Sequence, residues 1–217
     1  MTPINQPPTA DAGEDQTLEA AAGCVADATL DASGSSDPDG DALSYTWESF
    51  FGAQSGPDPA FTLQLPLGEH SITLIVADPS GETDTDTVTV IVEDTTPPSI
   101  DSVTTDPGTL WPPNHKMTPV RVSVAATDYC GDAAVACSVV STSSDEPVNG
   151  PGDGNTSPDW ENTGGLTLDL RAERSGKGDG RVYTTTVECS DAAGNSATGT
   201  VDVNVPHDQG QGGGRKK

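Results

Sequence analysis

Three aspartates at alternate positions form the feature of this sequence best suited to bind a metal ion. Asp37, Asp39 and Asp41 read Asp-x-Asp-x-Asp, with Gly40 inside the motif. Because alternate carboxylates on a tight turn converge on one point, the spacing suits a hard cation with oxygen ligands, such as Ca²⁺. The alternative is a solvated turn in which Asp and Gly serve the backbone geometry.

Other polar residues are expected beside this loop if the surrounding strands form a β-sandwich. The start of the first strand, the second loop and the last hairpin of a sandwich gather at one end, which adds Asn5 and Asp78. The corresponding end of the second half of the chain would gather Asp94, Asp128 and Asp191. The alternative for this second set is a group of exposed loop charges that repel one another.

The elements that must position these residues are short strands. Apolar residues alternate with polar ones throughout the chain, as in Leu43-x-Tyr45-x-Trp47, and helical periodicity is almost absent. Turn signals rich in Asp, Pro, Ser and Gly separate the alternating segments. Each half of the chain therefore holds about six or seven strands, the count typical of an immunoglobulin-like sandwich.

The predicted fold is all-β, with two tandem immunoglobulin-like β-sandwiches. The paired prolines of the segment Asp94-Thr-Thr-Pro-Pro indicate a short, extended linker. We therefore expect one domain at 1–94, a second at 95–207 with an inserted acidic loop at about 143–164, and a flexible tail at 208–217 rich in Gly and Gln.

The four cysteines are Cys24, Cys130, Cys137 and Cys189, and no Cys/His cluster has zinc-ligand spacing. The alternation places Cys137 and Cys189 on inward faces, so these two are candidates for a disulfide if their strands are neighbours. Cys130, in the preceding loop, is the rival partner for either, and buried thiols are the alternative. A disulfide in the second half, with two thiols left over, would indicate an extracellular protein.

Charge excludes several functional classes. Acidic residues number 34 and basic residues 9, for a net charge of −25. Nucleic acid is not an expected partner because its binding needs a basic surface, and insertion into a membrane is not expected because no apolar segment is long enough. Leu, Ile, Val and Phe make up 37 of the 217 residues. A chain this apolar-poor and acidic is typical of disorder, so bound Ca²⁺ is expected to stabilise the fold.

The first half contains three distinctive stretches: Asn5-Gln-Pro-Pro-Thr-Ala-Asp-Ala-Gly, Leu30-Asp-Ala-Ser-Gly-Ser-Ser-Asp-Pro-Asp-Gly-Asp and Leu43-Ser-Tyr-Thr-Trp47. In these stretches the first half resembles a polycystic-kidney-disease (PKD) module. The resemblance implies calcium binding, because some PKD modules hold calcium with residues at the start of the chain and in the loop that corresponds to Asp37–Asp41. One segment departs from the family: Glu48-Ser-Phe-Phe-Gly52 stands where Asp-Phe-Gly-Asp-Gly is usual.

The second half contains the stretches Thr96-Pro-Pro, Ala126-Thr-Asp-Tyr-Cys130 and Cys189-Ser-Asp-Ala-Ala-Gly-Asn195. In these stretches it resembles a hyalin-repeat or cadherin-like extracellular domain. It implies a second calcium site that stiffens the joint between domains. Both resemblances imply a noncatalytic role in a large secreted or cell-surface protein, most typically a bacterial one.

Two tryptophans are candidate ligand-binding residues. Trp160 lies beside acidic residues in the predicted insertion, where it either stacks on a sugar ring or covers a small core. Trp111 stands before two prolines, where it either clamps the first strand of its domain or meets a partner. The basic segment Arg171–Arg181 is a candidate for self-assembly, by pairing with an acidic face of a neighbouring copy.

These observations predict a noncatalytic, calcium-binding extracellular module. It would act as a rigid spacer or as an adhesion and assembly segment, with neighbouring domains of a larger chain as partners. The alternative is an appendage of a secreted hydrolase that binds carbohydrate or protein. No enzyme is expected, because none of the three histidines lies in a recognisable catalytic motif.

Overall fold

The computed structural model describes residues 4–130, 135–149, 156–176 and 179–207 of the chain. These residues form fourteen strands in two compact units, and the fold is all-β, with two tandem immunoglobulin-like sandwiches. The first unit runs to Thr95 and includes Tyr129 and Cys130, so the boundary falls one residue beyond the predicted position. The described part of the chain forms no helix capable of spanning a membrane.

Seven strands build the first unit. They are β1 (Gln16–Glu19), β2 (Val25–Asp31), β3 (Ser44–Ser49), β4 (Gly52–Gly56), β5 (Ala60–Pro66), β6 (Gly68–Ala77) and β7 (Thr83–Glu93). One sheet has the order β1-β7-β6-β3-β4, and β2 pairs with β5 in the other. Strand β1 runs parallel to β7, whereas the other pairs are antiparallel.

The core of the first unit follows from strict alternation along its central strands. In β7, Val88, Val90 and Val92 are buried, whereas Thr89 between them is half-buried and Ile91 is exposed. Ala, Leu and Val dominate the rest of this core, and Trp47 is its largest member. Small side chains therefore fill a thin sandwich, which explains how so little Leu and Ile is sufficient.

Seven further strands build the second unit. They are β8 (Ser99–Asp106), β9 (Met117–Thr127), β10 (Ala136–Ser144), β11 (Trp160–Gly164), β12 (Thr167–Arg171), β13 (Gly180–Ser190) and β14 (Ser196–Pro206). One sheet has the order β11-β12-β9-β8, and the other has the order β10-β13-β14. All these pairs are antiparallel.

Strand β13 supplies the central inward stripe of the second unit. Every second residue is buried: Arg181, Tyr183, Thr185, Val187 and Cys189. Leu168 and Leu170 of the facing sheet belong to the same core. The stripe is notable because its first member is charged, and a buried arginine needs partners within the same unit.

The predicted insertion at 143–164 is shorter in the structure. Strand β10 continues to Ser144, and β11 begins at Trp160 and pairs with β12. The difference arises because Trp160 packs against the core and the preceding Asp159 is buried, which draws the end of the insertion into the sheet. Residues 150–155 of this segment lie outside the described residues.

Candidate metal centre

The loop between β2 and β3 is organised around the carboxylate of Asp37. Its Oδ1 accepts hydrogen bonds from the backbone N–H groups of Asp39, at 2.8 Å, and Asp41, at 3.2 Å. Gly40 has a φ of 81° and donates its N–H to the carbonyl of Asp37, at 3.2 Å. Asp37 thus closes the turn with one oxygen, as short polar side chains do, and its Oδ2 is buried.

The turn between β6 and β7 is built in the same way around Asp78. Oδ1 of this residue accepts the backbone N–H groups of Ser80, at 2.8 Å, and Glu82, at 2.9 Å. Oδ2 of Asp78 accepts a hydrogen bond from Nδ2 of Asn5, at 2.6 Å. The hydrogen bond from Asn5, assisted by those from the backbone, holds the pKa of Asp78 below its ordinary value despite burial.

The segment before β1 links the two turns. Asn5 contacts Asp78, and the next residue, Gln6, donates its backbone N–H to Oδ2 of Asp39, at 2.7 Å. The structure therefore brings Asn5, Asp39 and Asp78 to the same end of the first unit, as the sandwich topology predicted. Asp41 is exposed and contributes its backbone N–H to the loop rather than its carboxylate.

The carboxylates of these aspartates are not arranged around one common point, as the ligands of a bound cation would be. Among the described residues of the chain, Asp37, Asp39, Asp41 and Asp78 supply no group of three carboxylate oxygens that all lie within 4.8 Å of one another. Oδ1 of Asp37, Oδ2 of Asp39 and Oδ1 of Asp78 accept backbone N–H groups instead. A cation at this end would need local rearrangement of the loop or ligands supplied by water and backbone carbonyls.

The second predicted set is divided between the two units. Asp94 belongs to the first unit, whereas Asp128 and Asp191 belong to the second. Asp191 follows β13 and repeats the arrangement of Asp78, because its Oδ1 accepts the N–H groups of Gly194, at 2.7 Å, and Asn195, at 2.8 Å. Burial acts to raise the pKa of Asp191, but these hydrogen bonds outweigh it and lower the pKa.

The cysteine bridge of the second unit joins adjacent strands. Cys137 of β10 lies opposite Cys189 of β13, with a Cα–Cα distance of 4.0 Å, and the two form a disulfide. The alternation of the two strands made this pairing a candidate and left Cys130 open as the rival partner for either cysteine. Cys24 and Cys130 are thiols in the structure.

A buried charge cluster around Arg181 is the feature that sequence reasoning missed. Nη1 of Arg181 donates to Oδ2 of Asp159, at 2.7 Å, and lies 3.6 Å from Oε1 of Glu173. All three side chains are completely buried. Nε of Arg181 lies 3.3 Å from Oε2 of Glu146, which is almost buried. Burial raises the pKa of Glu173.

Tyr183 completes this cluster. Its hydroxyl accepts a hydrogen bond from Nη1 of Arg181, at 2.9 Å, and donates one to the carbonyl of Arg171, at 2.9 Å. Burial raises the pKa of Tyr183 to about 12, although Arg181 acts in the opposite direction. The alternating pattern of β13 could have revealed the buried Arg181. It lies two residues before Tyr183 and therefore on the same inward face of the strand.

The basic segment proposed for self-assembly is engaged within its own unit. Arg181 is buried, and Arg171 donates to the carbonyls of Pro158 and His115. Arg174 donates to the carbonyls of Pro206 and His207. These guanidinium groups therefore brace the second unit, and the Arg181 charge is not exposed to a neighbouring copy.

The two tryptophans differ in exposure. Trp111 is 43% exposed, whereas Trp160 packs against the core with its ring edge-on to Tyr183, at 6.2 Å between centroids. Phe50 and Phe51, in the β3–β4 hairpin, are 96% and 52% exposed. These two occupy the segment that departs from the PKD pattern.

Comparison with known proteins supports the first resemblance. Residues 5–92 match the family profile of the PKD domain. This range spans the first unit and includes the Asp37 loop, Asn5 and Asp78. The match does not extend into the second unit, for which the hyalin-repeat or cadherin-like resemblance stays a prediction. A search of curated proteins found no significant match to this sequence.

Several solved structures are similar to parts of the chain. One is a nucleoside hydrolase-related hypothetical protein from Saccharophagus degradans associated with carbohydrate metabolism, with 28% identity, 41% of this chain and 26% of that chain covered, and a TM-score of 0.33. A second comprises carbohydrate-binding modules of the β-sandwich superfamily, with 17% identity, coverage of 86% and 59%, and a TM-score of 0.36.

A third is Drosophila N-cadherin EC1-4, with 10% identity, coverage of 92% and 49%, and a TM-score of 0.41. This chain thus spans about a quarter and three-fifths of the first two structures and about half of the third. The low TM-scores mean that no ligand or activity is transferred from these proteins.

Proposed function

We propose that this chain is a noncatalytic, extracellular, calcium-binding segment of a larger protein, acting as a rigid spacer or adhesive module. The calcium site lies at the end of the first unit where the Asp37 loop, Asp78 and Asn5 meet. The ion is held by oxygen ligands and stiffens this end by joining the chain start to two turns.

The carboxylate of Asp37 carries the calcium proposal. Its Oδ1 already accepts two backbone N–H groups, whereas its Oδ2 is buried and has no hydrogen-bond partner within the part of the chain that the structure describes. A buried carboxylate oxygen without a donor is costly. A divalent cation satisfies such an oxygen, and Asp39 offers a second carboxylate on the same turn.

The overall charge favours the same conclusion. A net charge of −25 destabilises a compact chain by self-repulsion. An ion that binds only the folded state contributes its binding free energy to folding. The PKD match over residues 5–92 supports an extracellular, noncatalytic role. The Cys137–Cys189 disulfide is typical of an oxidising compartment.

Calorimetric titration with Ca²⁺ tests the site directly. The wild-type chain is expected to bind with a Kd of roughly 10⁻⁴ to 10⁻³ M, the range of extracellular modules. Asp37→Asn should weaken binding at least about tenfold, or about 1.4 kcal/mol. Asp101→Asn removes the same charge from exposed β8 and should leave the Kd unchanged. Equal titrations for all three proteins would refute the Asp37 site.

A second candidate function is binding of carbohydrate or protein through exposed aromatic side chains. Phe50 and Phe51 pack edge-to-face with centroids 5.5 Å apart, and His70 lies 5.7 Å from Phe51. A recess of about 390 Å³ adjoins them, lined by Ser49, Phe50, Phe51, Glu69, His70 and Ser71. Exposed aromatic rings beside polar groups suit a neutral sugar surface.

Affinity electrophoresis in gels that contain neutral polysaccharides distinguishes binding through Phe50 and Phe51 from binding through Trp111. If the hairpin binds, Phe50→Ala together with Phe51→Ala should abolish the retardation of the wild-type chain, and Trp111→Ala should preserve it. The opposite result would assign binding to Trp111. No retardation in any neutral polysaccharide would remove support for the carbohydrate function.

A further inference from the structure

We propose that Cys24 and Cys130 are a second disulfide site, which covalently fixes the return of the chain into the first unit. The chain leaves this unit after Thr95, and Tyr129 and Cys130 belong to it again. The two cysteines are 106 residues apart in sequence, so their bond would close a far larger loop than the 52-residue separation of Cys137 and Cys189.

Backbone contacts place the two cysteine segments side by side. Gly23 and Tyr129 are the residues immediately before Cys24 and Cys130. The N–H of Gly23 donates a hydrogen bond to the carbonyl of Tyr129, at 3.1 Å. The Cys24 thiol then donates to the carbonyl of Cys130, at 2.8 Å. These two contacts hold the two cysteine segments next to each other in register, as the partners of a disulfide must be.

The side chains also interact directly. Burial raises the pKa of the Cys130 thiol to about 12, and contact with the Cys24 thiol and with Asp94 contributes to this shift. Cys130 packs against the core of the first unit as well. The Cys130 side chain is therefore held against the core of the first unit, in contact with the Cys24 thiol.

The backbone at Cys24 indicates a specific need for this side chain. Its φ is 60°, in the left-handed region that Gly and Asn usually occupy. The turn closes with the N–H of Cys24 donating to the carbonyl of Ala21, at 3.0 Å. A residue held in such a conformation is expected where its side chain has a role that a glycine cannot perform.

The reaction is a thiol–disulfide exchange with a small disulfide, such as glutathione disulfide. The Cys24 thiolate attacks one glutathione sulfur and releases the other glutathione as a thiolate. Cys130 then loses its proton and attacks the sulfur of Cys24, which releases the second glutathione. Two protein thiols are oxidised and one small disulfide is reduced to two thiols.

Peptide mapping without reduction tests the pairing on the wild-type chain. The protein is refolded with reduced and oxidised glutathione, alkylated in urea and digested with trypsin. Cleavage after lysine and arginine places Cys24 in the peptide 1–116, Cys130 and Cys137 in 122–171, and Cys189 in 182–215. The proposal predicts a single species in which all three peptides are joined.

Separate release of peptide 1–116 with alkylated Cys24, while 122–171 stays joined to 182–215, would overturn the proposal. Cys130→Ser provides the matched control for connectivity. In this variant, peptide 1–116 should be released and alkylated, and the Cys137–Cys189 link should persist. If 1–116 remained attached to another peptide in Cys130→Ser, the assignment of Cys130 as the partner would also be refuted.

Discussion

At the scale of single residues, the acidic side chains act first as hydrogen-bond acceptors. Asp37, Asp78 and Asp191 each close a turn by accepting two backbone N–H groups. The sequence predicted the turns at Asp37 and Asp78, because each Asp is followed by Pro and then by Asp or Ser and Gly. It could not separate a turn-closing carboxylate from a metal ligand, since both functions use the same residue type at the same spacing.

Asp78→Asn is expected to lower the urea midpoint of unfolding near neutral pH. The substitution places an amide opposite Asn5, where Oδ2 now accepts a hydrogen bond. Because the folded pKa of Asp78 lies below its ordinary value of 3.8, its contribution is fully present above about that pH. The contribution is lost as the pH falls through the folded pKa.

Urea unfolding at about pH 7 and about pH 3 measures this linkage. The difference in midpoint between wild type and Asp78→Asn should shrink at the lower pH, while Asp101→Asn should match wild type at both. A difference that stays constant would show that the Asp78 charge does not contribute to stability.

Arg181→Leu is expected to be the most destabilising single substitution in the second unit. It leaves Asp159 and Glu173 buried without their shared cation, and removing one partner of a buried ion pair costs about 3–5 kcal/mol. Arg121→Leu removes an exposed arginine from β9 and should change the free energy of unfolding by less than about 0.5 kcal/mol. Similar urea unfolding curves for both variants would contradict this account.

At the scale of elements, period-2 alternation identified the strands whose inward residues are apolar. It predicted β6 and β7 through their Ile, Leu and Val residues. It did not reveal the ends of the insertion, because β11 (Trp160–Gly164) has no apolar alternation and is recognisable only by its pairing with β12. The start of β13 was obscured for a related reason, since its first inward residue is Arg181.

Gly180→Ala is expected to disrupt the start of β13. Gly180 has a φ of 120°, and an added Cβ would lie 2.6 Å from the carbonyl oxygen of Val205 on the paired strand. The backbone strain alone costs about 1–3 kcal/mol. Gly176→Ala adds a methyl group in open space and serves as the control. Equal urea midpoints for the two variants would contradict the close strand approach.

At the scale of the whole molecule, the amino-acid composition predicts a disordered chain, whereas the alternation of apolar and polar residues predicts a folded β-protein. Few large apolar residues and a charge of −25 are typical of a disordered chain, yet the strands form two compact units. Small buried residues such as Ala28 and Ala32, together with the disulfide, account for part of this outcome. We propose that bound calcium supplies the remaining contribution.

Thermal unfolding of the intact chain in about 10 mM Ca²⁺, and again in excess chelator, tests the central claim most directly. With a Kd of roughly 10⁻⁴ to 10⁻³ M, bound calcium stabilises the fold by about 1.4–2.7 kcal/mol. The midpoint in calcium should then exceed that in chelator by about 3–10 °C. Asp37→Asn should lose most of this difference. Identical wild-type midpoints in calcium and in chelator would contradict the account and leave these aspartates as turn-forming residues.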